Sequence, residues 1–316
     1  MLPTAKYTIA ASTAAGRRML SGGIGGTSCR RRLELFAEEK ARQDAENKAN
    51  LEKIVISSFN AEGDSVDLLM NKNISTAYDC AKQISHHFAR NSALCLRNDE
   101  VVGLRELLKN DCSIEFLDFV KPKNSSDVND AYWRSCSLAL GAVVQSAFRN
   151  EVIPGASVLP EVLSGSFKFD AKIKGLKNWE PTTEDLQILT KRVRSGIVEP
   201  QYNFELLRVS IRFALELFGA ERISAEQNLD LNEEGIAVYR IGNFVDLSNG
   251  PVVSSTGLIG KFQVAAIEQI EEETYRFKGV SVPRVQQASS YAWNIIVNTA
   301  AGRKSEVEAE RRTTAA

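Results

Sequence analysis

The side chains best suited to hydrolytic chemistry in this chain are Asp246, Ser248 and Cys136, and none of them has a histidine to work with. They lie in two runs, Trp133-Arg134-Ser135-Cys136-Ser137-Leu138-Ala139-Leu140-Gly141 and Asp246-Leu247-Ser248-Asn249-Gly250-Pro251-Val252. A serine nucleophile needs an adjacent base to take its proton, and imidazole is the side chain that shuttles protons near pH 7. The two histidines, His86 and His87, both lie upstream, adjacent on a helix, where they do not share a face as paired metal ligands would. A reactive cysteine requires a basic neighbour to lower its pKa, and only Arg134 is near Cys136 in sequence. The five cysteines, Cys29, Cys80, Cys95, Cys112 and Cys136, form no Cys-x-x-Cys pair and no Cys/His cluster. They read as free, mostly buried thiols of a reducing compartment. The expectation is a protein with no catalytic residue, no metal and no cofactor.

Phosphate loops fare no better. Gly22-Gly23-Ile24-Gly25-Gly26 follows no strand, and Gly260-Lys261 lacks the earlier glycine and has Phe262 in place of Ser or Thr.

Composition sets broader limits. The 316 residues allow roughly two domains of ordinary size. Hydrophobic content of 43% and charged content of 25% are those of a globular protein. No apolar run reaches the ~20 residues of a membrane-spanning helix. Net charge is −1, but residues 1–33 hold six bases and no acid, so the remainder is net −7. A protein that grips nucleic acid with one large basic face is usually basic in total, so any RNA contact here is expected to be local. The first 30 residues, rich in Arg, Ser, Thr, Ala and Gly and free of acids until Glu34, read as a mitochondrial transit peptide. The implied location is the mitochondrial matrix.

The elements that must position these residues follow from pattern. Residues 31–51 combine helix formers, dense mixed charge and few apolar positions (Leu33, Leu35, Phe36), which predicts an exposed helical arm docking a small apolar patch on something else. Between 52 and 120, Lys53–Ser57 and Val66–Met70 read as strands. Ser75 or Thr76 caps a helix with Ala77, Cys80, Ala81, Ile84 and Phe88 at helical spacing. Ala93–Leu96, Val101–Leu104 and the alternating Ser113–Phe119 read as three more strands. Strands on either side of one capped helix in this length are a β-grasp pattern. A linker at 121–126 marks the domain boundary. Beyond it the pattern predicts an amphipathic helix at 130–149 and a two-sided strand at 166–174 with Phe/Phe/Ala/Ile inward. It also predicts a helix capped by Thr182 with Asp185, a helix over 204–219, and strands near 237–241 and 262–267. Residues 296–316 read as a disordered polar tail.

At this point the chain resembles the N-terminal half of threonyl-tRNA synthetases. Residues 52–120 look like their TGS domain and 121–295 like their editing domain, so the expected fold class is α+β, a β-grasp domain followed by an editing-like α+β domain. In that family a helix carries Trp-His-Ser-x-x-His and a later loop Asp-x-Cys-x-Gly-Pro-His. Here the framework persists, and so does the glycine-led strand Thr256-Gly257-Leu258-Ile259-Gly260-Lys261-Phe262, but the four chemical positions hold Arg134, Leu138, Ser248 and Val252. Leucine and valine neither bind metal nor carry protons, and arginine stays protonated. The resemblance therefore implies a fold without its hydrolytic chemistry.

Further runs, among them Leu35-Phe36-Ala37-Glu38-Glu39-Lys40, Met70-Asn71-Lys72-Asn73-Ile74-Ser75-Thr76 and Phe277-Lys278-Gly279-Val280-Ser281-Val282-Pro283, resemble a family of mitochondrial large-subunit ribosomal proteins over about residues 31–295. That resemblance implies a structural role in the large subunit, within a hetero-assembly of mitochondrial ribosomal proteins and large-subunit rRNA. The residues expected to meet RNA or protein partners are Lys121, Lys123, Lys168, Lys172, Lys174, Lys191, Arg192 and Arg194, gripping phosphate in a salt-sensitive, sequence-independent way. The alternative is a free tRNA-binding or trans-editing factor of mitochondria.

Overall fold

A computed structural model describes residues 27–303 apart from 61, 121–123, 159–160, 227–228, 230 and 233–234. Residues 1–26 of the transit-peptide reading and the expected contacts Lys121 and Lys123 fall outside the described residues, while residues 27–30 of that reading are helical.

Helix α1 (Thr27–Ala49) opens the described chain. Ala, Glu and Arg favour the helical state, and charge pairs one turn apart such as Arg30–Glu34 at 3.1 Å support it. It was expected to dock on something else. Instead it folds back on its own chain: Leu35 and Phe36 are buried in a cluster with Leu207, Val209, Leu217, Ile236, Val238 and Val245.

The first sheet is built from β1 (Lys53–Phe59), β2 (Ser65–Asn71), β3 (Ser92–Arg97), β4 (Glu100–Gly103) and β5 (Cys112–Asp118). Their spatial order is β2-β1-β5-β3-β4, with β1 and β5 parallel and the other neighbours antiparallel. Between β2 and β3 run α2 (Ala77–Ile84) and α3 (His86–Asn91). Thr76 starts α2 through a capping box with Asp79. The expected single helix breaks at Ser85, whose extended backbone ends α2 and whose hydroxyl accepts from His87 N to begin α3.

Helix α4 (Ser125–Ala147) begins five residues earlier than its apolar pattern suggested. It lies across strands β6 (Val152–Pro154) and β7 (Phe167–Ile173). The alternation of β7 is as expected: Phe167, Phe169, Ala171 and Ile173 are buried. Helix α5 (Thr183–Val193) carries the Thr182–Asp185 capping box and runs into a π turn at Arg194–Val198.

The helix expected over 204–219 is two elements. Glu205–Val209 is strand β8, and only Ile211–Phe218 is helical, as α6. The run has strong helix formers throughout. Antiparallel pairing of β8, with Val209 opposite Ile236 and Leu207 opposite Val238, overrides that preference. Ser210 accepts from Phe213 N to start α6, and Gly219, at φ 82°, ends it. Then come α7 (Ala220–Ala225), β9 (Leu231–Asn232), β10 (Gly235–Ile241) and β11 (Phe244–Leu247), with β10 central in a second sheet.

Strands β12 (Ile259–Glu271) and β13 (Thr274–Pro283) complete a third sheet in the order β12-β13-β7-β6. Helix α8 (Ser290–Ala300) packs on β12 and β13 through Trp293, Ile296, Val297 and Ala300. Residues 296–300 are thus helical, not part of a disordered tail. The whole is a mixed α/β architecture with three sheets, and its largest core gathers α4, β7, β13 and the inner face of β3 and β5.

Candidate functional site

Helix α4 brings Arg134, Ser137 and Leu138 opposite Asp246 of β11 and opposite Ser248 and Asn249 of the loop that follows it. A small cleft lies between them, closed on its other sides by Ala156, Ser157, Lys168, Asp170 and Arg222. The two runs that sequence analysis paired are therefore joined in space. The latch is specific. Ser135 Oγ donates to Ala131 O at 2.7 Å and accepts from Val253 N at 2.9 Å, tying the helix to the loop.

Arg134, Leu138, Ser248 and Val252, the four positions singled out in the sequence, have packing or architectural roles. Arg134 Nε donates to Pro251 O at 2.9 Å. A β-carbon at Gly250 would lie 2.9 Å from Arg134 Cζ, so glycine there lets the guanidinium lie flat against the loop. Leu138 and Val252 are buried apolar side chains, 6% and 3% exposed. Ser248, also buried, donates its hydroxyl to Gly250 O at 2.8 Å, which commits that proton to the turn. Burial raises the Asp130 carboxyl above its ordinary range, and the nearby Arg134 charge partly offsets this.

Asp246 is held by two donors. Its Oδ1 accepts from Arg222 Nη2 at 3.1 Å and from Leu247 N at 2.9 Å. Arg222 also pairs with Glu226, whose side chain is fully buried and which accepts from Ser157 N and Oγ. Burial pulls the Arg222 guanidinium below its usual range, opposed by the Asp246 charge. Sequence reasoning missed Arg222, Glu226 and Ser157. They lie on different segments with no motif spacing, and only Arg222–Glu226, one helical turn apart, left any signal.

The space that remains is about 30 Å³, room for one or two waters. A pocket for a nucleoside-sized ligand needs about 300 Å³ or more. Asn249, which lines the cleft, has its amide nitrogen buried without a protein partner. Cys136 faces the other way, into the core beside Tyr132 and Ser281. Burial pushes its thiol up to about 12, so it is protonated and non-nucleophilic at neutral pH. Among the described residues no three His, Cys, Asp or Glu side chains gather as a metal site.

The expected contact residues do not form one patch. Lys168 reaches into the cleft rim, 19% exposed, and pairs with Glu161 at 3.2 Å. Lys172 and Lys174 are exposed further along β7, with Lys174 held to Glu151 at 2.8 Å. Lys191 and Arg194 are exposed at the end of α5 and in its π turn, and Arg192 between them is half-buried. Helix α5 flanks β12, two strands away from β7.

Comparison with known proteins gives one long match and several shorter ones. The chain is 31% identical over 285 residues to the large ribosomal subunit protein mL39 of Drosophila melanogaster, covering 85% of this chain and 83% of that protein. It is 25% identical over 229 residues to a probable cytoplasmic threonine–tRNA ligase 1 of Dictyostelium discoideum, covering 70% of this chain and 30% of the ligase. It is 27% identical over 236 residues to the cytoplasmic threonine–tRNA ligase 1 of Bos taurus, covering 74% of this chain and 31% of the ligase. The chain thus spans about a third of the length of these ligases. No family model matches it.

Proposed function

Because this chain belongs to the family of the large ribosomal subunit protein mL39, we propose that it is a structural component of the large subunit of the mitochondrial ribosome, acting in the matrix and not as an enzyme. The match along most of both chains carries the reading. Two further observations support it. The acid-free stretch ahead of Glu34 has the composition of a mitochondrial address. The cleft that would hold substrate in a synthetase editing domain is narrowed by Arg134 and Leu138, and its Ser248 hydroxyl is committed to Gly250 O.

The domain reading follows the same line. The strand order β2-β1-β5-β3-β4, with a parallel central pair and helices between β2 and β3, supports a TGS-like β-grasp domain at 52–120. The layer of α4 over β7 and β13 supports an editing-like domain at 121–295. Binding to the subunit rests on neighbouring ribosomal proteins and on local contact with rRNA phosphate through Lys121, Lys123, Lys168, Lys172, Lys174, Lys191, Arg192 and Arg194. Such contacts weaken as salt rises.

Sedimentation of mitochondrial lysate through a high-salt gradient tests this. The protein is expected to travel with large subunits and with whole ribosomes. Migration as a free chain, together with hydrolysis of mischarged tRNA by the purified protein, would establish the trans-editing alternative instead.

A further inference from the structure

We propose that strand β2 is a docking edge on which an extended, basic segment of a neighbouring large-subunit protein adds a sixth strand to the first sheet. The inference rests on the ribosomal reading for the source of the partner, and on the sheet itself for the site.

The other sheet edges are defended. β4 is four residues long, and its Gly103 sits against Pro251 and Val252. β6 is three residues long and includes Pro154, which has no N–H to offer. β11 lies under α1, and on β8 the Arg208 carbonyl is taken by Gln43 Nε2 of α1 at 2.9 Å. β12 is flanked by α5, whose Thr190 Oγ1 accepts from Val264 N at 3.0 Å. β2 is different. It is seven residues long, stands at the end of its sheet, contains no proline or lysine, and pairs with β1 in unbroken register from Asn71 to Ser65. A long, regular, open edge is a template for another strand.

Its outer face is apolar in patches. Leu69 (62% exposed) stands opposite Val55 (43%) in the β1–β2 register, with Phe59 (55%) at the far end of β1 and Leu51 (71%) just before it. The surrounding charge selects the occupant. Residues 51–72 carry Glu52, Glu62, Asp64 and Asp67 against Lys53 and Lys72, and Lys72 is paired with Glu52 at 2.7 Å, so the rim stays net negative around Glu62, Asp64 and Asp67. That rim repels RNA phosphate and attracts lysine and arginine, so the fitting partner is a polypeptide with alternating apolar and basic side chains.

The test is to place a photo-reactive benzoylphenylalanine at exposed Ser65 of the full-length, tagged protein in mitochondria, to identify the adduct after purification by the tag, and to sediment the same lysate in parallel. The expected adduct is a nuclease-resistant protein crosslink to a net-basic, extended segment. It is expected to be lost in the double variant Val55→Lys with Leu69→Lys. Both side chains are exposed, so that variant should keep its melting temperature and still travel with the subunit. An RNA adduct, an acidic or helical partner segment, or no adduct in a chain that cosediments with subunits would overturn the edge proposal alone. The expected adduct in a chain that does not cosediment would keep the edge and overturn the ribosomal reading. Loss of both adduct and cosedimentation would overturn both.

Discussion

Arg134 illustrates how single residues closed this cleft. A cation beside a hydrolytic centre would stabilise developing negative charge, whereas here its guanidinium is laid against Gly250 and bonded to Pro251 O. Arg222 is the stronger example, since it pairs with two buried acids, Asp246 and Glu226. Removing one partner from a buried ion network leaves uncompensated charge. Arg222→Met is therefore expected to lower unfolding free energy by about 3–5 kcal/mol, read from denaturant titration. Gly141 sets two effects against each other. Alanine gains about 1 kcal/mol in a helix interior, yet its β-carbon would lie 2.6 Å from the Phe169 ring and 2.8 Å from Phe244, both buried. Overpacking of that kind costs about 1–3 kcal/mol, so Gly141→Ala is expected to be net destabilising; a raised melting temperature would show that the rings yield. Cys136 and Cys95 are expected to resist iodoacetamide at pH 8 in the native protein and to react once guanidinium unfolds it. Burial holds both thiols above their ordinary pKa, so neither is a thiolate at that pH.

At the scale of elements, α1 is the informative case. Its sequence is that of a solvated helix, and most of it is exposed, but Phe36 is fully buried with Arg240 5.2 Å above its ring. Phe36 is thus the main anchor of a 23-residue helix, beside Leu35 in the same cluster and Gln43, which donates to Arg208 O. Phe36→Ala is expected to cost about 3–5 kcal/mol. Because few other side chains hold α1, that loss should show first as fast amide exchange and protease cleavage between residues 27 and 49. Uniform destabilisation with α1 still protected would refute Phe36 as the main anchor.

For the whole molecule, the question is whether the first sheet and the remainder move separately. The contacts say that they are joined. Leu94 and Leu117 of the first sheet share a core with Val128 and Tyr132 of α4. Arg105 donates to Asn203 Oδ1 at 2.5 Å and to Ser254 O at 3.3 Å, while stacking 3.8 Å from the centre of the Tyr78 ring. The buried carboxylate of Glu106 is paired with Arg208. Thermal unfolding is expected to be a single transition. Arg208→Leu strands Glu106 and should cost about 3–5 kcal/mol; in that variant the first sheet is expected to melt separately from the rest.

Much of this was legible in the chain. Alternation on β7, the capping boxes at Thr76 and Thr182, and the five strands of the first sheet are local patterns, set by side-chain periodicity and hydrogen bonding between near neighbours. That Leu138 and Val252 carry no protons was equally plain, because residue type alone decides it. What the chain could not reveal depends on distant partners. β8 looks helical until β10 pairs with it, and α1 looks unattached until β10, β11 and α6 offer Phe36 a pocket. The network that joins Arg222, Glu226, Ser157 and Asp246 also required tertiary structure. Those groups are buried only because three separate segments converge, and burial is what turns ordinary surface charges into a fixed network.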